Sequence, residues 1–219
     1  MLDWLINIDT RAFLALNALH TPYLDSFMAL FTGKWIWAPM YAAVLFVITR
    51  NYRWRQAVAI IACVLLAVAI ADQVCATAIR PFVERMRPAN LDNPISPMVH
   101  IVDGYRGGSY GFPSCHAANS FAHAVFLVFL FRNVRLSAAM FGWAVVNSLS
   151  RVYLGVHYPG DLLVGAVIGT VVGMSMAFLA RYAASRLGRV MPGPAVNTGI
   201  VTSVAGLTVV AIAIAACFI

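Results

Sequence analysis

The chemistry-bearing residues of this 219-residue chain fall in three short stretches. In His157-Tyr158-Pro159-Gly160-Asp161 a carboxylate follows an imidazole by four positions, so one turn of helix places it against a ring nitrogen. It would fix the tautomer and stabilise positive charge, leaving the other nitrogen free to attack phosphorus. His116, from a second stretch, is available as a general acid for a leaving oxygen. Arg80, Arg87 and Arg151 supply the fork geometry preferred for phosphate oxygens. Ser114 adds a hydroxyl beside the free N–H groups of a helix start. Together they describe a phosphoryl pocket. No acidic pair suited to magnesium accompanies them, so neither a metal nor another cofactor is expected.

The elements that carry these residues are set by composition. Hydrophobic residues make up 62% of the chain and charged ones 11%, less than half the share usual in a soluble domain, which excludes a soluble fold and disorder alike. The expected class is all-α: a polytopic membrane bundle of about six transmembrane helices forming one domain over 1–219, with interfacial N-terminal helices over 1–33 and the six-span bundle over 34–219. Spans are expected at 34–50, 55–79, 115–132, 136–153, 160–181 and 197–219. Residues 2–19 read as an amphipathic helix, either lying in the interface or packed on the bundle. Trp35, Trp37, Tyr41 and Trp54 flank the first span as an aromatic belt would. Gly165, Gly169 and Gly173 form a small-residue ridge for close helix packing. Residues 88–112, rich in Pro, Gly, Asn and Asp, are the one long connection and read as a structureless surface segment or a lid. The N-terminus lacks a signal-peptide pattern, so insertion relies on internal spans. Four scattered cysteines predict neither a disulfide framework nor a zinc site.

The formal charge of +7 is mostly topological. Arg50, Arg53, Arg55, Arg132, Arg135, Arg181, Arg186 and Arg189 lie in alternate short loops and mark the cytoplasmic side, so the basic balance implies no nucleic-acid partner. The phosphoryl pocket then faces outward, at the lipid headgroup level of a cell (inner) membrane, and its partner is a membrane lipid phosphate. Two further outward arginines have other expected places: Arg85 at the surface or on a headgroup, Arg106 reaching substrate from the loop. Asp72, two turns before Arg80, is expected to pair with a polar neighbour, or to support the basic cluster from beneath. His123 reads as a satisfied interior histidine, and His20 and His100 carry no signal.

The three stretches resemble the type 2 phosphatidic acid phosphatase family, which shares its core with vanadium haloperoxidases. The family's first motif is a Lys, six residues and Arg-Pro; here Arg80 is followed by six residues and Arg87-Pro88. Its second, Pro-Ser-Gly-His, appears as Pro113-Ser114-Cys115-His116. Its third, Ser-Arg, five residues, His, three residues, Asp, is complete as Ser150-Arg151, His157 and Asp161. The resemblance implies that His157 forms a phosphohistidine, that Asp161 orients it, and that His116 protonates the leaving group. Arg80, Arg87, Ser114, the Cys115 N–H and Arg151 would hold the phosphoryl oxygens, with Ser150 and Asp72 behind them. Arg in place of Lys at 80 keeps the charge and changes its geometry; Cys in place of Gly at 115 retains the N–H but adds a side chain.

Within that family an undecaprenyl (polyprenyl) diphosphate is placed first as substrate, ahead of lipid A, phosphatidylglycerol phosphate and phosphatidic acid. Two other classes stand beside it. An intramembrane serine hydrolase built on Ser114 leaves Arg80, Arg87 and Arg151 without a task, and an anion or lipid transporter does not explain polar groups confined to one end. A cysteine-nucleophile phosphatase is rejected, because the Arg such a loop needs is Phe at position 121.

Overall fold

A computed structural model describes residues 2–188 and 195–219; Arg189 lies outside the described residues. Among them the fold is all-helical. Helix α1 spans Leu2–Asn17, α2 Pro22–Phe31, α3 Ala38–Asn51 and α4 Trp54–Gln73. A π-helical turn, Val74–Ile79, carries α4 into the short α5, Arg80–Val83, so that Trp54–Val83 is one continuous rod. Helix α6 spans Cys115–Phe131, α7 Val134–Tyr153, α8 Pro159–Arg186 and α9 Thr198–Ala215.

Each expected span exists as a helix. Three are long and apolar enough to cross a bilayer (Trp54–Val83, Pro159–Arg186 and Thr198–Ala215), and Cys115–Phe131 is apolar but shorter. Local chemistry sets several ends. Thr21 caps α2, its hydroxyl accepting from Leu24 N, with Pro22 in the first turn. Ser114 and Asn133 cap α6 and α7 in the same way. The first span begins later than expected, because 33–37 forms a turn in which the buried Trp37 indole donates to Phe31 O at 2.8 Å. The fifth runs past 181 to Arg186, since no breaker intervenes before Gly188.

Helix α6 is the central element, packed against α4, α7 and α8. The glycine ridge of α8 lies on it: a Cβ at Gly165, Gly169 or Gly173 would collide with the carbonyl oxygens of Ser114, Ala118 and Ala122 respectively. Below this seam Phe126 and Leu127 of α6 join Met40, Ile60 and Met140 in the main core. Trp37 and Tyr41 belong to that interior, against Trp143 and His123, while Trp35 and Trp54 are exposed; only the latter two can serve as an interfacial belt. His123 is interior as expected, yet its Nε2 is buried with no hydrogen-bond partner among the described residues. Leu65, Val167, Val171 and Leu207 point outward from the bundle, as they do where the solvent is lipid.

Helix α1 packs on the end of the bundle where α8 begins, and presents a mixed polar and apolar face to it. Phe13 and Asn17 are buried against the protein, whereas Trp4, Leu5, Ile6 and Ile8 face outward. The long connection is neither structureless nor a free lid. Arg87 N donates to Ser109 O and Gly111 N to Arg85 O, pairing its two ends. Asn17 fastens its middle, donating to His100 O and accepting from His100 N. His100 stacks on His20 and bonds Asp25 at 3.0 Å. The loop is a stitched cap over one end of the bundle.

Candidate functional site

Four helix ends converge under this cap: the extension of α4 into α5, the start of α6, the end of α7 and the start of α8. The α7–α8 turn passes through Gly155 at φ +77, a left-handed conformation natural to glycine, and delivers His157 to the interior, 2% exposed. Its Nδ1 lies 3.2 Å from Asp161 Oδ2, which also accepts from Tyr158 N at 3.0 Å. Its Nε2 lies 2.9 Å from Arg87 Nη1, which donates as well to Val156 O at 2.9 Å. A guanidinium only donates, so Nε2 is the acceptor and the imidazole proton sits on Nδ1, facing Asp161. Burial lowers the His157 pKa to about 4; Arg87 and Arg151 push the same way and Asp161 opposes them, so the ring is neutral at pH 7. Arg87, lowered to about 10 by burial and by Arg80 and Arg151, remains a cation.

The other basic groups close around this pair. Arg80 donates from Nη2 to Pro113 O at 2.9 Å and to Cys115 Sγ at 3.0 Å. Arg151, 4% exposed, reaches Thr32 Oγ1 at 3.2 Å and Tyr105 OH at 3.4 Å. Among the described residues the Nε atoms of Arg80, Arg87 and Arg151 are all buried without a partner. Unpaired buried donors are costly, and three on neighbouring cations are what a bound anion would satisfy.

Ser114 is fully buried; its N–H donates to Asp161 O at 3.0 Å and its Oγ accepts from Ala117 N at 3.4 Å, which fixes the start of α6 against α8. His116 is half-buried beside Arg151, Arg87 and His157, with no side-chain hydrogen bond among the described residues. The Cys115 side chain turns toward α4, where Sγ approaches Asp72 O at 3.9 Å. Asp72 pairs with Asn119 Nδ2 at 2.9 Å and makes no ion pair among the described residues. Ser150 is buried and spends its hydroxyl on Asn147 O, one turn back in α7.

Two arginines depart from expectation. Arg85 is not a surface group: it bridges Asp161 and Asp9 and lies on the face of Tyr158. Arg106 does not reach for substrate; it donates to Ala89 O and Ser96 Oγ and braces the cap. Sequence reasoning also passes over Asp9, Thr32, Tyr105 and Gly111. Gly111 is the most telling of these, since a Cβ there would stand 3.3 Å from Asp161 Oδ2 and 3.4 Å from His157 Nδ1. Its only local signal is its place beside the Pro113-Ser114 motif. Among the described residues no group of three or more His, Cys, Asp or Glu gathers as metal ligands would.

Comparison with known proteins shows the family and the fold. Residues 57–186 match the PAP2 superfamily. A Bacteroides thetaiotaomicron protein named lipid A 4'-phosphatase is 47% identical over 199 residues, covering 91% of this chain and 88% of the relative. A Porphyromonas gingivalis protein of the same name is 35% identical over 185 residues, covering 84% and 78%. Among solved structures, Aquifex aeolicus LpxE superposes with a TM-score of 0.57 at 24% identity, covering 76% of this chain and 93% of that one. A transmembrane PAP2-type phosphatidylglycerolphosphate phosphatase from Bacillus subtilis gives 0.57 at 22%, covering 85% and 89%. At those identities the two structures speak for the fold.

Proposed function

The chain belongs to the PAP2 superfamily and is a membrane lipid phosphatase, and from that premise we propose that its substrate is lipid A, from which it removes a phosphate through a phosphohistidine at His157. The observation that carries the chemistry is the line Arg87–His157–Asp161, flanked by Arg80 and Arg151; among the described residues all three guanidinium groups have an unpaired buried N–H donor. The substrate rests on the two relatives named lipid A 4'-phosphatase, and it displaces the polyprenyl diphosphate that sequence reasoning places first.

In this reading the phosphate enters among Arg80, Arg87 and Arg151, and Arg87 exchanges the His157 lone pair for a phosphoryl oxygen. Nε2 then attacks phosphorus while the bond to the leaving sugar oxygen breaks, and His116 gives that oxygen its proton. Asp161 holds the Nδ1 proton and stabilises the positive ring. Water attacks the phosphohistidine in the second step, with His116 taking its proton, and inorganic phosphate leaves. The arginines offset charge on the equatorial oxygens throughout. Ser114 and the Cys115 N–H lie at the start of α6, where an anion is favoured; behind them Asp72 holds the Asn119 side chain and Ser150 bonds the α7 backbone at Asn147 O. Arg53 and Arg132 lie in connections at the far ends of the same helices, and Arg181 lies in the last turns of α8; this arrangement supports a site on the outward face of the inner membrane.

The test is phosphate release by purified protein from lipid A, undecaprenyl diphosphate, phosphatidylglycerol phosphate and phosphatidic acid, with His157→Ala as the control. We expect lipid A to be preferred and the variant to be inactive yet folded. Preference for the diphosphate would overturn the substrate, and a fully active variant would overturn the mechanism. Labelling of Ser114 by a fluorophosphonate, or phosphate or lipid flux without hydrolysis in sealed vesicles, would point to the serine hydrolase or the transporter.

A further inference from the structure

The mechanism above makes no use of Arg85 or Asp9, yet Arg85 contacts Asp161 and Asp9 contacts Arg85. Asp161 is a carboxylate whose side chain is 1% exposed. Its Oδ2 is occupied by His157 Nδ1 and Tyr158 N; its Oδ1 faces Arg85 Nη1 at 2.9 Å. The same Nη1 lies 2.8 Å from Asp9 Oδ2. The Arg85 guanidinium carbon sits 3.8 Å from the centroid of the Tyr158 ring, so its plane is held by stacking as well as by charge. Asp9 is fixed in turn, its Oδ1 accepting from Gly160 N at 2.8 Å. Gly160 is required for that approach, because a Cβ would stand 2.7 Å from Asp9 Oδ2.

We propose that Arg85 is a positioning residue for the Asp161–His157 pair, and that Asp9 makes the N-terminal helix α1 a working part of the site. A buried carboxylate with one oxygen unmatched would rotate or take up a proton; Arg85 occupies that oxygen and aims the other at Nδ1. Asp9 shares the Arg85 charge, so that Arg85 orients Asp161 without cancelling the negative charge that the imidazolium needs. Arg85 engages the pair from the Asp161 side, whereas Arg87 engages it at Nε2. Because α1 turns Trp4, Leu5, Ile6 and Ile8 outward, the helix that meets the lipid interface is the one that grips the reacting pair.

The inference rests on the reading of His157 as nucleophile, and its test separates the two. In lipid A hydrolysis, Arg85→Gln is expected to lower kcat by on the order of 10–100-fold with KM unchanged. Arg85→Lys should recover part of this loss. Asp9→Asn should lower kcat less, and the double variant Asp9→Asn/Arg85→Gln should cost less than the product of the single effects. A raised KM at unchanged kcat would make Arg85 a phosphate contact, and an unchanged kcat would leave it no role; either overturns the proposal. The second readout is independent of turnover: the NMR titration of His157 in detergent. The charged and titratable groups facing that ring are Arg87, Arg151, His116 and Asp161, with Arg85 and Asp9 behind Asp161. Arg85→Gln leaves Asp161 with undivided charge and should move the titration upward; Asp9→Asn should move it downward. Charge alone gives opposite shifts, so rescue decides: Arg85→Lys, which keeps the charge without the fork, should restore the midpoint but only part of kcat, whereas full recovery of kcat by lysine, or unchanged titrations in both variants, would sink the idea. Loss of lipid A turnover in the wild-type protein, with the opposite shifts intact, would discard the function and keep the bridge.

Discussion

Arg87 covers the lone pair of His157: its Nη1 lies 2.9 Å from Nε2 in a line that continues through the ring to Asp161. The atom expected to attack phosphorus is therefore held by one of the groups expected to bind the phosphate. Substrate phosphate can relieve this contact by drawing the guanidinium to itself, which couples binding to release of the nucleophile. Replacing Arg87 with Gln should lower kcat by about 100–1,000-fold, the range found when one donor to a developing oxyanion is removed. The inhibition constant for inorganic phosphate should rise in parallel. Near-normal kcat together with unchanged phosphate inhibition would separate Arg87 from the reaction.

The protonation state of His157 gives a second prediction. Its pKa is lowered to about 4 by burial first, against a usual value near 6.5. The sign is that of a cation penalised by its surroundings, so the ring stays neutral as pH falls through 6 and takes up a proton only near 4. NMR titration of the wild-type protein should place the midpoint close to 4, and Arg87→Gln, which removes a repelling cation, should move it upward. A wild-type midpoint near 6.5 would mean that the ring is open to water.

Gly111 supplies a third. A methyl group there would lie 3.1 Å from Arg87 Cγ, 3.3 Å from Asp161 Oδ2 and 3.4 Å from His157 Nδ1, tight contacts against three members of the site at once. Gly111→Ala should lower kcat by about 10–100-fold through displacement of the reacting groups, with thermal stability little changed. Gly108, three residues away in the same loop, has open space where its Cβ would go, so Gly108→Ala should leave turnover unaffected. Equal activity in the two variants would show that the cap does not press on the site.

These glycines also mark what can be read in one dimension. His157 and Asp161 lie within one turn, and Pro113-Ser114-Cys115-His116 opens a helix, so their chemistry is local and appears as spacing. The glycine ridge of α8 is legible for the same reason, since a four-residue repeat is a face. Asp9 is different: it meets Gly160 across 151 positions, and nothing around it announces the contact. Arg85 resembles a loop-surface cation until Asp9, Tyr158 and Asp161 are brought to it by the packing of α1 and the start of α8. Arg106 shows the converse, because a loop arginine near a basic site can spend its donors on the loop's own carbonyl and hydroxyl oxygens.

The seam between α6 and α8 gives a fourth prediction, in which stability and activity move together. Both helices begin in the site: Ser114 and His116 at the top of α6, His157 and Asp161 at the top of α8. Gly169 lets the backbones meet below them, and a Cβ there would collide with Ala118 O, a carbonyl that belongs to α6 and cannot rotate away. Gly169→Ala must therefore push the helices apart, at a cost of about 1–3 kcal/mol typical of overpacking. Gly206 of α9 is the matched control: a Cβ there meets nothing within 4 Å, so Gly206→Ala should gain the helix propensity of alanine, about 0.5–1 kcal/mol. Thermal unfolding in detergent should lower Tm for Gly169→Ala and hold or raise it for Gly206→Ala. Turnover should fall only in the first, because separating the helices lengthens the contact between Ser114 N and Asp161 O that ties the two helix starts together. If Gly169→Ala matched Gly206→Ala in both measurements, the close approach of α6 and α8 would not be what holds the two halves of the site in register.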